Sequence, residues 1–89
     1  MNKIVLITTK GCEGCSIMNK SIKYALNNTS KTIEYVIKDI SELDKKEKSK
    51  LKTSDFPTTI FYKNNRITRQ EVGTRPYIVV LRWIDVDFK

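Results

Sequence analysis

The stretch Ile4-Val5-Leu6-Ile7-Thr8-Thr9-Lys10-Gly11-Cys12-Glu13-Gly14-Cys15 carries a hydrophobic, largely β-branched block straight into a pair of cysteines. Ile4 to Ile7 shows no polar alternation, so it reads as a strand buried on both faces and central in its sheet. Thr8, Thr9 and Gly11 bound it. Beyond the pair, Ile17, Met18, Ile22, Ala25 and Leu26 recur at three- and four-residue steps, with Lys20, Lys23 and Asn27 between them. That spacing predicts a helix from about Glu13 to Asn27, with Asn27 and Asn28 suited to its C-terminal end. The cysteines therefore fall where a strand hands over to a helix.

Ile33 to Ile40 predicts a second strand, with Ile33, Tyr35 and Ile37 on one face and Glu34, Val36 and Lys38 on the other. A strand–helix–strand unit of this kind joins parallel strands by a right-handed crossover. Ser41 to Lys52 reads as a polar helix capped at Ser41, whose apolar points are only Leu43 and Leu51. Thr58 to Tyr62 is a third strand, Asn64-Asn65 a turn able to take positive φ, and Arg66 to Val72 an antiparallel return. Gly73 breaks that strand, Thr74 can cap a helix and Pro76 fits its first turn. Tyr77, Leu81, Ile84 and Phe88 mark its apolar side, while Trp83, Phe61 and Tyr62 read with Tyr77 as core or half-buried residues. The expectation is a single α/β domain over residues 1–89, ordered β-α-β-α-β-β-α, with a four-stranded mixed sheet flanked by helices.

The chain has 89 residues, with 17 Lys and Arg against 10 Asp and Glu, a formal charge of +7, and no histidine. The absence of histidine removes Ser-His-Asp and Cys-His catalysis and the commonest metal ligand together. Ile4 to Ile7 is too short for a signal-peptide core or a membrane span, so a cytoplasmic protein without membrane attachment is expected. Lys45, Lys46, Lys48, Lys50 and Lys52 are interrupted by Glu42, Asp44 and Glu47, and no aromatic series accompanies them. They read as a solvated helix face rather than a nucleic-acid surface. The net charge instead suits acidic protein substrates.

Two cysteines three residues apart close too small a loop to add much stability, so their purpose reads as chemical. At a helix N-terminus, unpaired N–H groups and the helix dipole favour a thiolate at Cys12, which makes it the attacking sulfur. Cys15, almost one turn on, is then the resolving sulfur. Lys10 favours the thiolate and Glu13 opposes it, while Gly14 leaves the turn flexible. Three other readings stand beside this one: an inert pair, a metal held by four cysteines across a dimer, and copper delivery. Copper modules of this spacing carry Met two residues before the first cysteine, where this chain has Lys10.

Gly11-Cys12-Glu13-Gly14-Cys15 after a strand, Phe56-Pro57-Thr58 before one, Lys63-Asn64-Asn65 in a hairpin and Glu71-Val72-Gly73 beyond it give a chain that resembles the thioredoxin/glutaredoxin superfamily over nearly its whole length. From Pro57 to Ile84 it is most similar to thioredoxin. The first half is more similar to glutaredoxin-like hydrogen donors of ribonucleotide reductase. The resemblance implies a thioredoxin-like fold and a monomeric thiol-disulfide oxidoreductase with no bound cofactor beyond a redox-active Cys12–Cys15 disulfide. It implies a cis Pro57 facing the cysteines, with the backbone of Phe56 pairing with substrate. Gly11, Glu13, Gly14, Thr58, Gly73 and Thr74 complete the substrate surface. Thioredoxin reductase or the glutathione system would restore the dithiol, with Lys10 and Arg75 as cations for glutathione carboxylates, and ribonucleotide reductase is a candidate client.

The chain departs from the family pattern at Gly11, where thioredoxin has an aromatic residue, and at Glu13-Gly14, where it has Gly-Pro. It departs also at Leu6, where thioredoxin has a buried acid, and at Gly73-Thr74-Arg75, where glutaredoxins carry paired glycines and an acid. The competing expectation is an adaptor of the same fold that docks a partner with little turnover.

Overall fold

A computed structural model describes all residues from Met1 to Lys89. Strand β1 (Asn2–Thr8) leads to helix α1 (Glu13–Asn27), strand β2 (Glu34–Asp39), a 3-10 turn (Ile40–Glu42) and a short helix α2 (Lys45–Ser49). Strands β3 (Thr58–Lys63) and β4 (Arg66–Val72) and helix α3 (Tyr77–Asp87) follow. The sheet order is β2-β1-β3-β4. β1 runs parallel to β2, with Ile4 opposite Tyr35, and antiparallel to β3, with Ile4 opposite Phe61 and Leu6 opposite Thr59. Asn64 and Asn65 take φ of 52° and 68°, the left-handed pair that suits a tight hairpin between β3 and β4.

β1 is central, and Ile4 to Ile7 are all buried, as a run without polar alternation requires. Alternate residues serve different layers. Ile4 and Leu6 join Met18, Ile22, Ala25, Phe61, Val80, Ile84 and Phe88 on the side of α1 and α3. Val5 and Ile7 join Ile60 and Leu43 on the other side. Phe61 stacks on Phe88 at 5.2 Å and meets Trp83 edge-on at 6.1 Å, so one fully buried ring contributes about 3 kcal/mol of burial and links β3 to α3.

Several expectations are corrected. The polar helix from Ser41 to Lys52 is instead a 3-10 turn and a five-residue helix, because two capping boxes stand in tandem. Asp39 accepts from the Ser41 N–H while the Glu42 carboxylate takes the Asp39 N–H at 2.8 Å. Asp44 accepts from the Glu47 N–H at 2.7 Å while Glu47 takes the Asp44 N–H at 3.1 Å. Each box starts its own helical turn, and Leu43 between them turns into the core. Ser41 is thus no cap; its hydroxyl donates to Asp39.

Thr74 does not cap α3, which starts at Tyr77 with Pro76 as an N-cap that has no side-chain bond. A residue before proline is biased to extended backbone, which stops the helix from reaching back to Thr74. The buried side of α3 is Val80, Ile84 and Phe88, and Tyr77 is 39% exposed. Ile17 on α1 and Ile37 on the outer strand β2 are also exposed, although periodicity puts both on apolar faces.

Candidate functional site

Gly11, with φ of 72°, turns the chain from the end of β1 into α1. A side chain would meet nothing within 4 Å there, so it is the backbone angle that favours glycine. Cys12 follows as the N-cap of α1, and its sulfur accepts the Cys15 N–H at 3.1 Å. Cys12 and Cys15 are joined by a disulfide, with Cα atoms 5.3 Å apart. Cys15 is 7% exposed and Cys12 is half-buried, so the two cysteines are unequal, the first more open to solvent and the second packed into the core. Glu13 lies exposed in the first turn.

Two further loops close on this turn. The Phe56–Pro57 peptide bond is cis, and Pro57 is buried. The Thr58 hydroxyl donates to the Asp55 carbonyl at 2.8 Å, tying the loop across its base. Gly73, with φ of 94°, donates its N–H to the Pro57 carbonyl at 2.8 Å. The Arg75 guanidinium donates to the carbonyls of Val72 and Thr74 at 3.2 and 2.9 Å, bracing the same bend. Gly14 completes the junction: a Cβ built on it would stand 3.3 Å from both the Pro57 ring and the Thr74 methyl.

Of the residues singled out from the sequence, Cys12, Gly14, Cys15, Pro57, Gly73 and Thr74 thus form one constellation. Phe56 borders it half-buried, and Gly11 and Glu13 lie on its exposed rim. Thr58 is fully buried and bonded inward. Arg75 is engaged with backbone carbonyls and lies 3.9 Å from Glu71, which leaves Lys10 as the unpaired cation nearest the cysteines in sequence.

Sequence reasoning missed the groove beside Phe56, about 420 Å³, lined by Ile40, Leu51 and Phe56 with Lys48, Lys52, Thr53 and Ser54. Its signal was Leu51, an apolar residue stranded at the end of a polar segment. Neither lysine joins an ion pair. Behind it Lys38 meets Glu47 at 3.0 Å, which raises the Lys38 pKa. Glu47 is lowered first by the Asp44 N–H and then by Lys38. The Ser41 hydroxyl and N–H lower Asp39. A smaller cavity of about 40 Å³, lined by Val5, Ile7, Leu43 and Tyr62 among others, lies under α2 on the opposite side of β1 from α1. No three His, Cys, Asp or Glu side chains gather where a metal ion could be held. No helix is long and apolar enough to cross a membrane.

No family model and no curated protein matches the chain. Solved structures do match it. One is a thioredoxin-2, described as a component of the malaria parasite protein secretion machinery. It aligns with 97% of this chain and 82% of its own, at a TM-score of 0.81 and 14% identity. At that identity the likeness is one of fold. The fold is thioredoxin-like, and a cysteine pair occupies the junction of its first strand and first helix.

Proposed function

We propose that this chain of thioredoxin-like fold is a small thiol-disulfide oxidoreductase that reduces protein disulfides. The observation that supports the reading is the unequal pair itself: a Cys12–Cys15 disulfide whose accessible sulfur caps α1 and whose second sulfur is buried behind it. In the dithiol form the helix N-terminus stabilises a Cys12 thiolate. That thiolate attacks one sulfur of a substrate disulfide, forming a mixed disulfide and expelling the other sulfur as a thiolate. Cys15 loses its proton and attacks the Cys12 sulfur. The internal disulfide forms, the mixed disulfide breaks, and the electron pair leaves on the second substrate thiolate. Two electrons pass to the substrate, and both departing thiolates take up protons.

The Phe56 backbone pairs with the substrate chain beside Pro57, and Gly73 and Thr74 form the opposite wall. Clients are acidic proteins of the cytoplasm drawn by the +7 charge and the unpaired Lys48 and Lys52, ribonucleotide reductase being one candidate. An NADPH-linked thioredoxin reductase or glutathione regenerates the dithiol.

Insulin-disulfide reduction by the wild type, Cys12→Ser and Cys15→Ser proteins tests this. Loss of turnover in Cys12→Ser, with a trapped mixed disulfide in Cys15→Ser, is expected. A wild-type protein that reduces nothing yet holds a partner with both cysteines mutated would turn the reading to an adaptor.

A further inference from the structure

One buried side-chain oxygen has no hydrogen-bond partner: the hydroxyl of Thr59, a residue with 0% exposure. An orphan of this kind carries an uncompensated desolvation cost, and valine would fill the same space in a strand without it. Register says where the hydroxyl lies. Thr59 stands directly opposite Leu6, and Leu6 belongs to the layer under α1, so Thr59 is on that face too. Pro57, two residues earlier on the same face, abuts Gly14. Phe61, two residues later, shares a core cluster with Met18. Between Gly14 and Met18 the only buried residue of α1 is Cys15, since Ser16 and Ile17 are exposed. Thr59 is thereby bracketed against the turn that carries the buried sulfur.

We infer that Thr59 is the hydrogen-bond donor to Cys15 in the dithiol form, directly or through one bridging water. In the disulfide the Cys15 sulfur is bonded to Cys12 and accepts only weakly, which leaves the hydroxyl unpartnered. As a thiolate the same sulfur is a strong, charged acceptor. Burial alone disfavours that charge, and the hydroxyl offsets the penalty at the step where Cys15 attacks the Cys12 sulfur. Thr59 keeps its own proton throughout. The Cys15 proton goes to the expelled substrate thiolate by way of solvent. The role in turnover rests on the proposed oxidoreductase reading; the contact itself does not.

The test is Thr59→Val, with Thr59→Ser as the conservative control, measured on the isolated protein. The Cys15 thiol is titrated by its ultraviolet thiolate absorbance in a Cys12→Ser background. The dithiol–disulfide equilibrium is measured against glutathione. Valine should weaken Cys15 as an acid by about tenfold, raising its titration midpoint, and at a pH above that midpoint should shift the equilibrium toward the disulfide by a similar factor, the size of a hydrogen bond to a charged group. It should also stabilise the oxidised protein while leaving the reduced protein no more stable. Serine should restore wild-type behaviour. If valine moves both redox forms equally and leaves the Cys15 titration in place, the inference is overturned. Should the valine protein not fold, the Ser and Ala variants make the same comparison. A wild type that titrates as described yet reduces no protein disulfide would overturn the oxidoreductase reading and leave the Thr59 contact standing.

Discussion

The Thr74 methyl lies 3.3 Å from where a Cβ on Gly14 would stand, so the cysteine turn and the bend after β4 come together with tight clearance for even a methyl group between them. Gly14→Ala improves helix propensity by less than about 1 kcal/mol at this first-turn position and crowds two neighbours at once. Both the Pro57 ring and the Thr74 methyl must give by a few tenths of an ångström. We expect a melting temperature close to wild type but a kcat/KM for disulfide reduction lower by about tenfold, as displaced positioning groups cause. Adding Thr74→Ser, which removes one of the two close contacts, should recover part of the rate. A Gly14→Ala protein with wild-type kinetics would show that the close approach has no role in turnover.

Arg69 joins β4 to α3 by bonding Asp87 at 2.8 Å and Glu71 at 3.0 Å, with its guanidinium 5.1 Å from the Trp83 ring. The Asp87 side chain is only 8% exposed. Arg69→Ala leaves that carboxylate buried and unpaired and should cost about 3 kcal/mol. Asp87→Asn, which keeps Arg69 paired with Glu71, should cost about half as much or less. Urea unfolding of both variants checks the order.

Asp39 and Glu47 are held below their ordinary pKa values, so the folded protein binds fewer protons than the unfolded chain near and below roughly pH 4. Their contribution is present above the unfolded values and is lost as pH falls through the folded ones. Lys38 is raised by Glu47; its contribution is complete below the ordinary lysine value and is lost as pH rises through the raised one, above roughly pH 10. Thermal melts across pH should therefore fall at both ends. Glu47→Gln should flatten the acid limb, while the alkaline limb persists because burial also raises Tyr35 and Tyr62, and an unchanged acid limb would contradict the assignment.

Lys48 and Lys52 border the groove beside Phe56 without ion-pair partners. Disulfide peptides flanked by glutamate should be reduced faster than lysine-flanked ones at low salt, and the ratio should shrink as salt is raised. Replacing both lysines by glutamine should cut the ratio several-fold while leaving a small neutral disulfide unaffected.

Much of the fold was legible because periodicity reports burial. Ile4 to Ile7 declared a central strand, and the α1 bounds of Glu13 and Asn27 follow from steps of three and four around Met18, Ile22 and Ala25. Asn64-Asn65 marked the hairpin by its tolerance of positive φ. What failed was short-range competition. Asp39 and Glu42, then Asp44 and Glu47, each close a box over four residues, and those local bonds divide what composition reads as one helix. At the site, spacing put both cysteines at a helix start. It could not show that Gly14 meets Thr74 or that Thr59 faces α1, since both depend on sheet register and loop packing between distant segments.

The two faces of the sheet are covered unequally. Helices of 15 and 11 residues lie on one side, and a 3-10 turn with a helix of five residues on the other. Few buried contacts hold the arc from Ile40 to Lys52, and Leu43 is its only fully inserted side chain. Such a segment opens by itself, well below the free energy of global unfolding. Its amides should exchange with solvent while those of β1 and α1 stay protected. The groove beside Phe56 is walled by this arc through Ile40 and Leu51, whereas the cysteines are anchored to the slow-exchanging side. The groove should therefore breathe with the arc that walls it, while the cysteine turn stays on the better-packed side of the sheet.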